Sequence, residues 1–110
     1  MINRMALFSD ETAAFRTPYE PVKGDLVTIR LRTLADDVNR AYIVINGLKK
    51  EMSKCATEGL FDYYSVTLTC TDDPVSYYFV IYDDDDKVCY NKLGWAENNQ
   101  SEYNFSFIPG

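Results

Sequence analysis

The sequence predicts an all-β chain folded as an antiparallel sandwich, on three observations. No long segment carries helical periodicity, whereas short runs of alternating apolar and polar residues recur with turn signals between them. Aromatic residues make up 15% of the 110 residues, with nine Tyr among them, and such side chains suit a pleated, half-buried surface. Apolar residues reach 46%, enough for the core of one domain spanning residues 1–110.

Each element follows from local pattern. Residues 3–9 read as a first short strand, and 10–21 as irregular, with Thr17-Pro18 and Glu20-Pro21 holding the backbone extended. Residues 25–33 give the clearest strand, with Val27, Ile29 and Leu31 on one face and Thr28, Arg30 and Arg32 on the other. Asp36-Asp37 marks a turn, and 40–45 the next strand. Asn46-Gly47 is a strong hairpin signal, with 49–54 as the returning partner and 56–60 as a loop. Strand 62–70 points Tyr64, Val66, Leu68 and Cys70 inward and Tyr63, Ser65, Thr67 and Thr69 outward.

Strand 75–82 is aromatic on both faces, and that surplus carries most of the functional argument. Val75, Tyr77, Phe79 and Ile81 supply a core, which leaves Ser76, Tyr78, Val80 and Tyr82 outward. If 40–45 is its neighbour, then Tyr42, Val44, Tyr78, Val80 and Tyr82 form one contiguous exposed apolar patch. Asp83 to Asp86 cap the next hairpin as a solvated, self-repelling tip. Residues 87–90 return, and 91–102 form a loop that contains Trp95. Residues 103–108 close the fold with Tyr103, Phe105 and Phe107 on one face.

Composition excludes several functions. The net charge of −6 disfavours nucleic acid as a partner. No apolar run is long enough to span a bilayer, and residues 1–7 lack the apolar core of a signal peptide, so a cytoplasmic location is expected. Three Cys make no disulfide framework, and Cys70 reads as a small buried apolar residue. There is no His for a triad, a general base or a metal site. The run Asp83 to Asp86 fails as a calcium loop, because the alternating ligands, central Gly and late Glu are missing. No catalytic residue, metal ligand or cofactor is assigned to this chain.

Binding remains. Sugars present flat C–H patches edged by hydroxyls, which a Tyr or Trp ring and neighbouring amides can meet. The candidates for carbohydrate contact or for an interface are Tyr42, Tyr63, Tyr78, Tyr82, Trp95 and Asn91. Two plainer readings stand beside this one: the tyrosine patch meets a neighbouring domain or subunit, and Trp95 plugs one end of the sandwich.

A family resemblance sharpens the choice. The segments Leu60-Phe61-Asp62-Tyr63-Tyr64, Val75-Ser76-Tyr77-Tyr78-Phe79-Val80-Ile81, Cys89-Tyr90-Asn91-Lys92-Leu93-Gly94 and Phe105-Ser106-Phe107-Ile108-Pro109 occur in an order that resembles one known family. It is the N-terminal immunoglobulin-like domain of neopullulanase, cyclomaltodextrinase and maltogenic-amylase enzymes, also called the family 34 carbohydrate-binding module. Ile29 to Thr33 with Asp37-Val38, and the opening Ala6 to Asp10, fit the same pattern, with Asp36 where the family has Gly. Residues 45–49 are shorter than in many relatives and lack their aromatic.

The resemblance implies an immunoglobulin-like β-sandwich of about seven to eight strands, lying before an α-amylase-type catalytic barrel that would follow Gly110. It implies weak binding of starch-derived α-glucan oligosaccharide, or else a structural or dimerisation role on the catalytic domain of the same polypeptide, with a homodimer possible in the full-length glycoside hydrolase. Relatives often carry Trp at the position of Tyr64, which parity places inward.

Overall fold

The computed structural model describes residues 1–110 as ten strands in two antiparallel sheets packed face to face. The strands are β1 (Arg16–Thr17), β2 (Leu26–Leu34), β3 (Arg40–Ile45), β4 (Leu48–Glu51), β5 (Ser53–Glu58), β6 (Phe61–Thr69), β7 (Val75–Asp83), β8 (Asp86–Asn91), β9 (Gly94–Ala96) and β10 (Phe105–Phe107). The four-stranded sheet runs β1-β2-β6-β5. The six-stranded sheet runs β4-β3-β7-β8-β9, and β10 continues the line of β8 along β7. No helix is long and apolar enough to cross a membrane.

Alternation builds the core as expected. Val27, Ile29 and Leu31 of β2 are fully buried, and β2 pairs along its whole length with β6, which places Tyr64 inside and Val66 and Leu68 against the core. The inward residues of β7 are all buried. Tyr77 and Phe79 meet Phe105 at ring distances of 5.4 and 5.8 Å, and Tyr90 lies 6.3 Å from Phe105. Such offset and edge-on aromatic pairs add to the area they bury. Asn46 and Gly47 both take positive φ, 48° and 84°, as a two-residue hairpin turn between twisted strands requires. Met52, buried in the core, is the crossing point from β4 in one sheet to β5 in the other.

The strand count exceeds seven to eight because three strands are only two or three residues long. Other expectations change for local reasons. Residues 3–9 hold no strand. Arg4–Ala6 form a 3₁₀ turn capped by the Asn3 side chain, and only Phe8 bridges to Arg32. Carboxylates draw this segment off the ladder: Asp86 accepts the Ile2 N–H and Asp37 that of Asn3. Residues 56–60, expected as a loop, lie largely in β5. That edge strand shows no alternating burial and bulges between Lys54 and Ala56, so it left no period to read. The Asp83 to Asp86 tip is not merely solvated, since Asp86 takes a bidentate pair from Arg4 at 2.8 Å.

One buried charge pins the N-terminal arm. Arg16, 6% exposed, lies over the Phe107 ring at 4.9 Å. It donates twice to the Tyr19 carbonyl, and also to the Tyr77 hydroxyl, the Ser106 carbonyl and Glu11. A guanidinium tolerates burial only when its donors are filled in this way.

Candidate functional site

The outer face of the six-stranded sheet gathers three of the candidate tyrosines. Pairing of β3 with β7 sets Tyr42 opposite Val80, Val44 opposite Tyr78 and Arg40 opposite Tyr82, and β8 adds Cys89 beside Val80 and Lys87 beside Tyr82. Tyr42 and Tyr82 meet edge to face at 5.6 Å. Lys49, across from Val44 on β4, holds its Nζ 4.4 and 4.8 Å from these two rings and donates to the Tyr82 hydroxyl at 2.8 Å. The patch is contiguous, but its aliphatic centre is sealed: Val44 is 9% and Val80 5% exposed, with the half-buried tyrosines packed around them. What the face presents is ring edge, hydroxyl and ammonium. Burial pushes the Cys89 thiol up, while Lys87, the Asn99 N–H and Lys49 pull it the other way.

Beyond Tyr78 runs a chain of amides. Asn91 donates to the Asn99 side-chain oxygen at 3.0 Å, Asn99 to Asn104 at 2.9 Å, and Asn104 to the Ser76 hydroxyl at 2.9 Å. Asn91 also accepts the Leu93 N–H at 2.9 Å. One N–H of Asn99 and one of Asn104 stay unused beside the tyrosines, together with the Ser76 proton.

This architecture recurs as part of larger solved proteins. It is similar to part of a cyclomaltodextrinase, at 21% identity, covering 98% of this chain and 20% of that one, with a TM-score of 0.80. A maltogenic amylase from S. marinus matches at 19% identity, with 98% and 15% of the two chains covered and a TM-score of 0.75. The type III pullulan hydrolase from Thermococcus kodakarensis matches at 17% identity, with 92% and 16% covered and a TM-score of 0.68. No curated protein sequence matches the chain. The family model "Alpha amylase, N-terminal ig-like domain" matches residues 14–108. The chain belongs to that family. It carries the N-terminal immunoglobulin-like domain and not the catalytic barrel, and it spans about a fifth or less of the related enzymes.

Within this N-terminal immunoglobulin-like domain, the remaining candidates separate. Tyr63 is on the outer face of the other sheet, 6.4 Å from the Phe15 ring and beneath the Arg30 guanidinium at 4.7 Å. Trp95 is not in a loop but on β9, opposite the buried Tyr90, and so on the core side of the sheet edge. It is 47% exposed, with Arg4 over its ring at 5.6 Å. Asn91 is only 3% exposed, closes the turn to Leu93 and donates to Asn99, so its own side chain is not presented at the surface. Tyr64 is in the core, as its parity required. Lys49 and Asn104 are the residues beside these tyrosines that sequence reading did not single out. Lys49 was legible as the outward position opposite Val44 once the Asn46-Gly47 turn fixed the register, whereas the amide chain depends on the fold of residues 97–104.

Proposed function

We propose that this domain binds starch-derived α-glucan weakly on the outer face of the six-stranded sheet, ahead of a catalytic barrel elsewhere in the same polypeptide. The observation that carries this is the pairing of a sealed tyrosine surface with unused amide groups beside it. A sugar ring lays its C–H face on Tyr78 or Tyr82, and its hydroxyls meet Asn99, Asn104 and Ser76. The core of a permanent protein interface is apolar and poor in charge, whereas here Val44 and Val80 are already covered and the Lys49 ammonium stands among the rings. Each hydroxyl contact adds only about 1 kcal/mol net, so affinity on the order of 0.1–1 mM is expected.

A second reading has its own support, at another place. The Gly110 N–H donates to the Pro21 carbonyl, and beside that contact Tyr19, Val22 and Ile108 stay 51%, 47% and 79% exposed. Such a strip suits packing on the catalytic domain. The test is a titration of the isotope-labelled domain with maltoheptaose, with cellohexaose as control. Saturable shifts at Tyr78 and Asn104 with the maltose oligomer alone are expected. Silence up to about 10 mM, well above the expected affinity, leaves only the packing role.

A further inference from the structure

The chain holds eleven Lys and Arg against seventeen Asp and Glu, so a cation without a carboxylate partner stands out. Five of the eleven are ion-paired: Arg4, Arg16, Lys23, Lys54 and Lys92. Arg30 and Arg32 are stacked on rings of the four-stranded sheet. Of the four left, three converge on Tyr82. Arg40 and Lys87 flank it by strand register on either side, and Lys49 donates to its hydroxyl.

The carboxylates near them are few or engaged. Glu51, opposite Tyr42, is the one carboxylate on the strand positions of this face. Asp83 and Asp86 are turned to the N-terminal segment, where they meet the Met1 amine and Arg4. Asp84 and Asp85 lie in the exposed turn.

Hydrogen-bond polarity points the same way. The Tyr82 hydroxyl accepts from Lys49, and the Tyr42 hydroxyl accepts from Arg40 at 3.4 Å. Both phenolic protons are therefore free to be donated. Apart from Glu51, this end of the face is rich in donors, from two phenols, two ammonium groups and a guanidinium. A neutral sugar hydroxyl both donates and accepts and gains half of its capacity there. An oxyanion accepts throughout and matches the whole set. The amide end near Tyr78 offers donors and acceptors together, as a neutral sugar requires.

We propose that this face takes a saccharide bearing an anionic group, a phosphate ester or a carboxylate, with the oxyanion at Tyr82 between Arg40, Lys49 and Lys87 and the neutral sugar rings toward Tyr78. The inference rests on the glucan-binding reading above and names the ligand more narrowly.

Calorimetric titration of the 110-residue chain tests it with four probes: maltotetraose, maltotetraose 6-phosphate, an α-1,4-linked oligogalacturonide and inorganic phosphate. The phosphorylated oligomer is expected to bind about tenfold more tightly than the neutral one at low salt, as three weakly screened charge contacts allow. That ratio should fall toward one in the double variant R40Q/K87Q and at high salt. The oligogalacturonide separates carboxylate from phosphate as the favoured anion. Equal affinity for the neutral and both charged oligomers overturns the inference and leaves the glucan reading intact. Inorganic phosphate bound as tightly as its sugar ester overturns it too, as a bare ion contact. No binding by any oligomer removes both readings.

Discussion

On the outer face of the four-stranded sheet, the guanidinium of Arg30 lies 4.7 Å over Tyr63 and that of Arg32 lies 4.2 Å over Phe61. On the outer face of the six-stranded sheet, the Lys49 ammonium lies 4.4 Å over Tyr42. Both faces mix rings with cations, yet they differ in what covers them. The N-terminal arm runs beside β2 through the Phe8 bridge and β1. It sets Phe15 edge-on to Phe8 at 5.1 Å and 6.4 Å from Tyr63, while Arg32 also donates to the Ala6 carbonyl. That face is closed by its own chain. No strand pairs over Tyr78 and Tyr82, and beside Tyr78 the Asn99 and Asn104 amides each keep an unused N–H. The lesson is that aromatic and cationic content does not mark a binding face; what distinguishes one is unspent hydrogen-bonding capacity beside the rings.

The sharpest way to break this contrast is to release the arm. Arg16 is its pin, because its guanidinium holds the Tyr19 and Ser106 carbonyls and the Tyr77 hydroxyl together beneath the sheet edge. Arg16→Met leaves those acceptors without their donor, takes one of three partners from Glu11, and should cost about 3 kcal/mol. Chemical denaturation measures the loss. Hydrogen exchange should show residues 8–17 opening first and the tyrosine face of the other sheet unmoved. Uniform opening of both sheets would mean that the two faces are not independently secured.

Acid sharpens the same contrast at smaller magnitude. Asp62, 2% exposed on β6, accepts from the Thr57 hydroxyl, the Asp36 N–H and Lys54. The Thr57 bond leads in holding its carboxyl below the usual range, against burial, which pushes it up. For Glu11, burial also pushes up, and the Ser106 N–H with Lys92 and Arg16 outweighs it. A carboxyl depressed on folding contributes stability that is present above its unfolded value near pH 4 and lost as pH falls through the folded one. Asp62 belongs to the four-stranded sheet, and Glu11 ties the N-terminal arm to Ser106 and Lys92. Melting temperature should therefore drop from pH 4 downward, and Asp62→Asn should flatten part of that slope while costing about 1–3 kcal/mol at neutral pH. An unchanged slope in the variant would assign acid lability to other carboxylates.

Much of this architecture was legible in the chain because alternation is strong wherever one face is buried. Strands β2 and β7 and the Asn46-Gly47 hairpin follow directly from it, and parity placed Tyr42, Tyr78 and Tyr82 on one face. The edge elements were not legible. β5 and β9 lack an apolar face, and the N-terminal turn is set by Asp37 and Asp86, which are far away in sequence. Tyr63 and Trp95 could not be separated from the tyrosine face either, since periodicity gives the side of a strand but not which sheet it joins or what folds over it.

The smallest effect is the most telling about the open face. Tyr82→Phe removes one hydroxyl and its bond from Lys49 and keeps the ring against Tyr42. At this half-exposed position stability should move by no more than about 0.5 kcal/mol. If the tyrosines act as stacking platforms, maltoheptaose affinity should change less than about twofold, since a solvent-facing hydroxyl contributes little net energy. Removing a platform altogether, in Tyr78→Ala, should abolish the titration while the fold persists. A Tyr82→Phe variant that binds as poorly as Tyr78→Ala would shift the weight from ring stacking to the cation-polarised hydroxyl. The open face would then be read as a hydrogen-bonding surface first and an aromatic one second.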